Sequence, residues 1–488
     1  MARDVLAAGA RTPTKIALQV LRATGAERWS YARLTNAVRG TGTGLLALGL
    51  APGDRVLLRL GNSVDFPIAF LGAIAAGLVP VPTSAQLTVP EVTNMAATLE
   101  PALVVAGDGI ALPRHPAPVL DLPRLRAMYA GTPCDWHMGA PDRPGYMVYT
   151  SGSSGGPQAV VHAHRALHAR RMMWDGWYGL TPDDRMLHAG AFNWTYTLGT
   201  GLMDPWTIGA TALIPEPGAA LPLLLRRFDA TIFAAAPGVF RRLLAPGTRL
   251  ELPRLRHGLS AGEKLPETTR DAWTAATGTP VYEALGMSEC STYVSAAPDR
   301  PAPPGAIGYA QPGRTIAVLD TTGQPVPRGT PGVLAVHRSD PGLMLGYWRA
   351  SEATAARFRG EWFVTGDMAV MAPDGAITYL GRDDDMLNAG GFRVSPLEIE
   401  AALATHPAID ECAATEISVK PGTTVIAAFY TASAPLPETA LQEHAAARLA
   451  RYKQPRLFIH RATLPRGTNN KLLRRVLRQE WERAHDPA

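Results

Sequence analysis

The sequence predicts an α/β protein with a large, layered N-terminal α/β domain and a smaller α+β domain at the C-terminal end. At 488 residues the chain is too long for one ordinary hydrophobic core, so two domains are expected. Short β-rich runs alternate with helical stretches, which favours a parallel sheet with right-handed crossovers. The sequence changes character after Asp367, and charged residues interrupt a β-rich run at 381–385. We therefore predict domains at residues 1–383 and 384–488.

The N-terminal region contains the first β-α-β pattern. A helix is expected over residues 29–49, because apolar residues recur there at helical spacing behind Ser30, which suits a helix N-cap. Residues 42–47 superficially match a dinucleotide fingerprint. A helical pattern and not a strand precedes them, so we interpret their glycines as packing residues. A strand at 55–60, an apolar helix and a strand at 78–81 follow.

Further strands and helices are expected at regular intervals along the rest of the chain. In the large domain, β-rich runs lie at residues 102–106, 210–214 and 230–233. The C-terminal part is predicted to contain two strands, at 375–380 and 424–430, and two helices, at 395–403 and 438–451.

Bulk composition narrows the class of function. The net charge of +5 is modest for 52 kDa, and no interleaved basic and aromatic module suggests nucleic acid as a partner. The most apolar run, 66–82, is broken by prolines and glycines, so we predict a buried helix and no membrane span. Cys134, Cys290 and Cys412 lie far apart, and the N-terminus lacks a signal-peptide pattern. A cytoplasmic protein is expected.

Residues 149–160 form the stretch around which the chain is organised. This segment, YTSGSSGGPQAV, places three glycines and several hydroxyls between apolar β-type runs. Glycines let a backbone approach a ligand closely, and successive N–H groups can point into one concavity that suits an anion. A phosphate-binding loop is the favoured interpretation. A flexible surface linker is the alternative, although the tight apolar flanks argue against it.

The same stretch resembles the signature loop of the adenylate-forming (AMP-binding) superfamily, which includes the acyl-CoA ligases. The resemblance implies that the loop holds the phosphates of ATP. Two positions depart from the family pattern, because Gln158 replaces a lysine and Ala159 replaces a glycine. The residues implied to bind ATP are Thr150, Ser151, Gly152, Ser153, Ser154 and Gly155.

Two downstream segments, 259–265 and 281–289, resemble the family's adenine-side and metal-side motifs. By this resemblance Glu289 is a catalytic residue that orients Mg²⁺ on the ATP phosphates, a task suited to a carboxylate. Leu285 stands where many members carry a tyrosine that stacks on adenine. The further residues implied to contact ATP or AMP are Ala261, Gly262, Glu263, Gly286, Met287 and Ser288.

The C-terminal motifs also follow family order. Asp367, in a T-G-D motif, is implied to accept hydrogen bonds from both ribose hydroxyls, with Arg382 beside it fifteen residues later. Asp384 aligns with the hinge about which the small domain rotates as a mobile lid. Lys471 would be the catalytic lysine that stabilises charge during adenylation.

The segment after the hinge resembles the one that CoA ligases bring into the site for the thioester step. Gly390, Gly391 and Arg393 are the residues implied to serve CoA binding. Asn388 replaces a lysine found in many relatives, and Asn470 replaces the glycine before the catalytic lysine.

The acyl pocket is predicted at Trp194, Ala236 and Met287, by position within the resemblance. A competing metal site at His162, His164 and His168 lacks a carboxylate or cysteine at ligand spacing.

The sequence thus predicts an ATP-dependent carboxylate–CoA ligase for a small-to-medium aliphatic or aromatic acid, with ATP, Mg²⁺ and CoA as its ligands. The acid would react through acyl-AMP, with release of AMP and pyrophosphate. The alternatives are an enzyme that loads a carrier protein, a luciferase-like oxidase and a degenerate nucleotide-binding protein. A homodimer is a possible assembly.

Overall fold

The structure, a computed structural model, describes residues 1–150, 158–244, 249–389, 392–420, 423–449, 451–467 and 472–485. The chain divides into two compact units. The first contains Met1–Thr315 and His337–Phe363, and the second contains Ile316–Val336 and Val364–Ala488. The predicted fold class is confirmed in the described residues. The predicted domain boundary at residue 384, with its hinge, remains a prediction.

The strands occupy two series of ranges along the chain. The first series is β1 (Ile16–Leu21), β2 (Ala26–Ser30), β3 (Arg55–Arg59), β4 (Val79–Pro82), β5 (Leu103–Ala106), β6 (Val119–Leu120), β7 (Pro144–Thr150), β8 (Gln158–Ala163), β9 (Arg185–His188), β10 (Thr211–Pro215), β11 (Ile232–Ala235), β12 (His257–Ala261), β13 (Val281–Met287), β14 (Ser291–Ser295) and β15 (Tyr309–Ala310). The second series is β16 (Ile316–Leu319), β17 (Pro331–His337), β18 (Gly346–Tyr347), β19 (Phe358–Arg359), β20 (Trp362–Met371), β21 (Ile377–Arg382), β22 (Leu387–Ala389), β23 (Phe392–Val394), β24 (Glu411–Lys420), β25 (Thr423–Thr431) and β26 (Leu457–His460).

The α-helices are mostly short, and several 3₁₀ and π turns join them to the strands. They are α1 (Ala2–Leu6), α2 (Tyr31–Ala47), α3 (Asp65–Ala75), α4 (Val89–Leu99), α5 (Leu122–Ala127), α6 (Ala166–Arg171), α7 (Thr195–Leu198), α8 (Asp204–Ile208), α9 (Leu221–Arg227), α10 (Pro237–Leu243), α11 (Glu267–Thr277), α12 (Ser351–Ala355), α13 (Pro396–Leu403), α14 (Glu438–Ala446) and α15 (Arg474–His485). In the described part of the chain, no helix has both the length and the apolar character needed to cross a lipid bilayer.

A nine-stranded sheet forms the centre of the first unit, in the order β15-β14-β13-β12-β11-β9-β10-β1-β2. The strands from β13 to β1 in this order run parallel to each other, and the edge strands are antiparallel. Each face is buried against apolar side chains: Leu187 and Phe233 lie on one face, Met186 and Ile232 on the other. The carboxyl ends of the parallel strands therefore meet at one edge, where open α/β sheets usually bind ligands.

The predicted β-α-β unit is confirmed in a second, parallel sheet of order β4-β3-β5-β6. The intervening helix α3 is buried along its whole length, including Asp65 at its start. The Arg126 guanidinium lies 2.7 Å from this carboxylate, and the Tyr129 hydroxyl donates to it. Burial alone would raise the pKa of Asp65, but these partners hold it below its ordinary value.

The helix predicted over residues 29–49 is α2, and the Ser30 side chain caps it by accepting from the Arg33 N–H. The fingerprint-like glycines lie inside this helix, as the interpretation from the sequence requires. A Cβ atom on Gly42 would lie 2.6 Å from the Cys134 sulfur, so the small residue permits close packing.

The second unit contains three small sheets. Strands β16, β17, β20 and β21 form the first together with the short β19, β22 and β23 form the second, and β24, β25 and β26 form the third. The predicted C-terminal elements correspond to β21, α13, β25 and α14. The sequence predicts neither β24 nor α15. Helix α15 consists mostly of charged and polar residues, and it packs Leu477 and Trp481 against the last sheet.

Candidate active site

A β-hairpin carries the predicted phosphate loop. Strands β7 and β8 are antiparallel, and Thr150 at the end of β7 pairs with Gln158 at the start of β8. The two ends of the loop therefore lie next to each other, on adjacent strands. The remaining predicted loop residues, Ser151, Gly152, Ser153, Ser154 and Gly155, lie outside the described residues.

The predicted adenine-side and acyl residues lie at the carboxyl ends of neighbouring strands. Ala261 ends β12, Met287 ends β13, and Ala236 directly follows β11. Because β11, β12 and β13 are adjacent and parallel, these ends share the ligand-binding edge of the sheet. Most of the predicted residues at this edge are at least partly accessible to solvent. The accessible ones are Trp194, Ala236, Gly262, Glu263, Gly286, Met287, Ser288 and Glu289.

Glu289 follows β13 in a turn that three other segments hold in place. The Tyr347 hydroxyl donates a 2.7 Å hydrogen bond to Glu289 Oε1, and the Met344 N–H donates a 2.7 Å bond to the Glu289 carbonyl. His162 Nε2 lies 2.7 Å from the Ser288 carbonyl, so this nitrogen carries the proton. Both the backbone and the side chain of Glu289 are therefore held in place.

His162 has a structural role at this turn. The described residues contain no group of three or more histidines, cysteines, aspartates or glutamates arranged to hold a metal ion. The His162 ring is buried and stacks on Tyr146 with 4.8 Å between ring centroids. Burial lowers the pKa of His162 to about 4, so the imidazole is neutral.

The Glu289 carboxylate fits the Mg²⁺ that the family resemblance implies. A magnesium ion bound to nucleotide phosphates takes most of its oxygen ligands from the phosphates and water, and needs only one or two carboxylates. Tyr347 engages Oε1 and leaves Oε2 with no hydrogen-bond partner among the described side chains. One oriented, partly accessible carboxylate oxygen is the donor that such an ion requires.

Trp194 and Gly262 are in direct contact on the acyl side of this edge. A Cβ atom on Gly262 would lie 2.6 Å from Trp194 Cζ2, and the backbone of Gly262 has a φ of +102° that side chains rarely adopt. Glycine is therefore required both by the backbone and by the indole. Trp194 in turn meets the Tyr196 ring at 90°, with centroids 5.2 Å apart.

The side chain of Asn62, which no sequence motif marks, ties the loop before Trp194 to the segment that follows β3. Asn62 donates a 2.6 Å hydrogen bond to the Gly190 carbonyl and accepts a 3.1 Å bond from the Phe192 N–H. Phe192 also packs against Phe66, with ring centroids 5.1 Å apart. These contacts hold the backbone of residues 190–192 immediately before the indole.

The predicted ribose pair is formed in the second unit. Asp367 on β20 and Arg382 on β21 are register partners, and Arg382 Nη1 lies 3.3 Å from Asp367 Oδ1. Arg382 also donates a 2.9 Å bond to the Thr365 carbonyl, and the Thr365 hydroxyl accepts from the Asp367 N–H at 3.0 Å. The fifteen-residue spacing in the sequence thus corresponds to a direct cross-strand contact.

Some of the predicted C-terminal site residues lie outside the described part of the structure. Gly390, Gly391 and Lys471 are among these. Asp384 belongs to a 3₁₀ turn, Asp383–Asp385, and Arg393 pairs through its backbone with Asn388 across the β22–β23 hairpin.

Arg474, three residues after the predicted catalytic lysine, is a candidate positioning residue that the sequence did not reveal. Its guanidinium makes two hydrogen bonds to Glu400 on α13, at 2.8 and 2.7 Å, and lies 3.7 Å from Asp385. Such a two-point contact between guanidinium and carboxylate fixes orientation as well as distance. It ties the start of α15 to α13 and to the segment beside Asp384.

Comparisons with known proteins identify the family of the chain. A family model described as AMP-binding enzyme matches residues 5–348, and a second, AMP-binding enzyme C-terminal domain, matches residues 398–471. A benzoate–CoA ligase from Thauera aromatica is 32% identical over 481 residues, which cover 92% of this chain and 90% of that protein.

Solved structures show the same fold. ATP-bound MatB from Rhodopseudomonas palustris has a TM-score of 0.90 at 27% identity, with 99% of this chain and 100% of that chain covered. The anthranilate CoA ligase AuaEII, in complex with anthranoyl-AMP, has a TM-score of 0.88 at 27% identity, with 98% and 96% covered. The chain therefore belongs to the AMP-binding enzyme family, in its acyl-CoA ligase branch.

Proposed function

We propose that this chain joins a small-to-medium aliphatic or aromatic carboxylic acid to CoA in two half-reactions, with the roles of its residues as follows. The observation that carries the proposal is the Glu289 carboxylate, fixed by Tyr347 at the ligand-binding edge of the central sheet. The phosphate hairpin connects to the same turn, because His162 on β8 contacts the Ser288 carbonyl.

In the first half-reaction, a carboxylate oxygen of the acid forms a bond to the α-phosphorus of ATP, and the bond from that phosphorus to pyrophosphate breaks. The phosphate loop from Thr150 to Gly155 would bind the phosphates, and Ser288 would contact the α-phosphate. Residues 261–263 and 286–287 would line the adenine side. Asp367 and Arg382 would bind the ribose, since a carboxylate can accept hydrogen bonds from both hydroxyls of a diol.

Glu289 would hold the magnesium ion on the ATP phosphates. When bound there, Mg²⁺ would neutralise part of the phosphate charge and polarise the phosphoryl oxygens. The Tyr347 hydroxyl would orient the Glu289 carboxylate for this role.

In the second half-reaction, the CoA sulfur, after loss of the thiol proton, attacks the acyl carbon and AMP leaves with the carboxyl oxygen. Rotation about Asp384 would bring Gly390, Gly391 and Arg393 to the CoA thiol. Lys471 would act in the first half-reaction alone. We therefore expect Lys471→Ala to lose acyl-AMP formation while it still makes thioester from supplied acyl-AMP. Equal loss of both steps would contradict the rotation.

The acyl group would lie against Trp194, Ala236 and Met287. These side chains provide an indole face, a methyl group and a flexible thioether. A pocket of this composition suits an apolar acyl chain or ring of moderate size.

The deciding experiment is ATP–pyrophosphate exchange over aliphatic and aromatic acids of graded length, with thioester formation recorded in parallel. Free CoA and a phosphopantetheinyl carrier protein should be compared as acceptors. We expect acid-dependent exchange, and thioester formation with free CoA. Exchange at background over the whole panel would contradict the proposal, and thioester formation only on the carrier protein would replace CoA as acceptor. Cytoplasmic location and homodimer formation remain predictions from the sequence.

A further inference from the structure

Two buried polar side chains of the first unit have hydrogen-bonding atoms without partners. His188 and Thr197 are both fully buried, and no described group bonds to His188 Nδ1, His188 Nε2 or Thr197 Oγ1. Nearly all buried polar atoms in folded proteins are hydrogen-bonded, because an unsatisfied one costs about 1–3 kcal/mol. Three such atoms in one place indicate a missing polar partner, such as a ligand group.

The two side chains share one small volume beside Gly190. A Cβ atom on Gly190 would lie 3.0 Å from His188 Cε1 and 3.2 Å from His188 Nδ1, and it would overlap Thr197 Oγ1. On another side, a Cβ atom on Gly201 would lie 2.9 Å from His188 Cβ and 3.5 Å from Thr197 Cγ2. The imidazole and the hydroxyl are therefore neighbours, and glycines provide the room for them.

This pair lies next to Tyr196, which packs on the predicted acyl residue Trp194. His188 is the last residue of β9, at the ligand-binding edge, and its ring meets the Tyr196 ring at 74° with centroids 4.4 Å apart. Tyr196 contacts Trp194, which packs on Gly262, so packed rings connect the predicted acyl residue Trp194 to His188. The Tyr196 hydroxyl donates to the Leu259 carbonyl at 3.0 Å and is already engaged.

The electrostatics select an uncharged partner. Burial alone lowers the pKa of His188 to about 3, and no charged side chain contributes to that shift. A neutral imidazole has one donor and one acceptor nitrogen, and the threonine hydroxyl can do both. A second carboxylate or an ammonium group would be a buried charge without a counter-ion here, which is costly.

We propose that His188 and Thr197 form a polar subsite of the acyl pocket that binds a neutral hydroxyl or amino substituent of the carboxylic acid. This inference rests on the proposed function and narrows its substrate class. The enzyme then acts on acids that carry such a substituent away from the carboxylate, in preference to the unsubstituted parent acids.

The test compares substituted acids with their parents by ATP–pyrophosphate exchange. Benzoate is set against 3- and 4-hydroxybenzoate and 3- and 4-aminobenzoate, and butyrate against 4-hydroxybutyrate. In the wild-type enzyme we expect kcat/KM for at least one substituted acid to exceed that of its parent about tenfold, as one well-placed buried hydrogen bond allows. In Thr197→Val and in His188→Leu this ratio should fall to about one.

Thr197→Val is nearly isosteric, so it decides the question if His188→Leu fails to fold. Thr195→Val, on the same short helix but at a partly exposed position, is the matched control and should keep the wild-type ratio. Exchange that favours the parent acids, or a ratio that both variants leave unchanged, overturns the subsite and leaves the proposed function intact. Absence of exchange with every acid overturns the proposed function itself.

Discussion

The Tyr347 hydroxyl lies 2.7 Å from Glu289 Oε1, across 58 residues of sequence. A hydrogen bond to a charged acceptor contributes about 1.5–3 kcal/mol. We predict that Tyr347→Phe lowers kcat/KM for ATP roughly tenfold and raises the Mg²⁺ concentration needed for half-maximal exchange, because the carboxylate loses its orientation. Magnesium titrations of ATP–pyrophosphate exchange measure both. Tyr309→Phe, at another partly accessible tyrosine of the first unit, should change neither.

Gly262→Ala tests the contact with Trp194. The new methyl group would lie 2.6 Å from the indole, so the indole must move, and we expect a KM for the acid raised about tenfold or more. Gly278→Ala is a matched control. Gly278 has a comparable φ of +73°, but a Cβ atom there meets nothing within 4 Å. Both variants should lose about 1 kcal/mol of stability to backbone strain, and only the first should affect the acid. Equal effects of the two on KM would show that strain alone is responsible.

The buried His188 should contribute to the pH dependence of the free energy of unfolding. Its pKa is lowered to about 3 in the folded protein, against an ordinary value of 6.5. The unfolded chain therefore binds more protons, and stability is lost as pH falls below about 6.5. Between pH 7.5 and 5.5 this one group accounts for a loss of about 1.4 kcal/mol. Denaturant unfolding at the two pH values should show that His188→Leu removes this share of the loss, whereas Thr197→Val keeps it.

Arg474→Gln tests whether the contact with Glu400 positions the predicted catalytic lysine. The variant leaves the Glu400 carboxylate without its bidentate partner, so we expect acyl-AMP formation to fall at least tenfold. Arg474→Lys keeps the charge but not the two-point geometry and should recover only part of the rate. Arg478→Gln, one turn later on α15, is the control. Thioester formation from supplied acyl-AMP should persist in all three, and its loss in Arg474→Gln would indicate general disruption.

The sequence predicts those parts of the candidate site that belong to short local motifs. Thr150, Asp367 and Glu289 belong to short motifs with turn or strand signals of their own. Thr150 ends β7, Asp367 lies within β20, and Glu289 lies in the turn that follows β13. The fifteen-residue spacing of Asp367 and Arg382 became a cross-strand pair because two antiparallel strands joined by a short turn must bring such residues together.

The partners that orient these residues could not be predicted in this way. Tyr347, Asn62 and Arg474 act on groups 58, 128 and 74 residues away in the chain. Each is an ordinary residue in its own segment, and only tertiary packing gives it a partner. The role of His188 could not be predicted for the same reason. A histidine in a β-rich run does not indicate that both of its ring nitrogens will be buried without a hydrogen-bond partner.

Strand β8 joins two motifs that lie far apart in the sequence. It begins at Gln158, at the end of the predicted phosphate loop, and four residues later His162 bonds to the Ser288 carbonyl beside Glu289, 126 residues away. An insertion or deletion within β8 would therefore displace one motif relative to the other and turn its side chains to the opposite face of the sheet. For engineering, the phosphate loop is not a module that can be exchanged alone. A chimera with another ligase should transfer β7, β8 and the turn at Ser288 together.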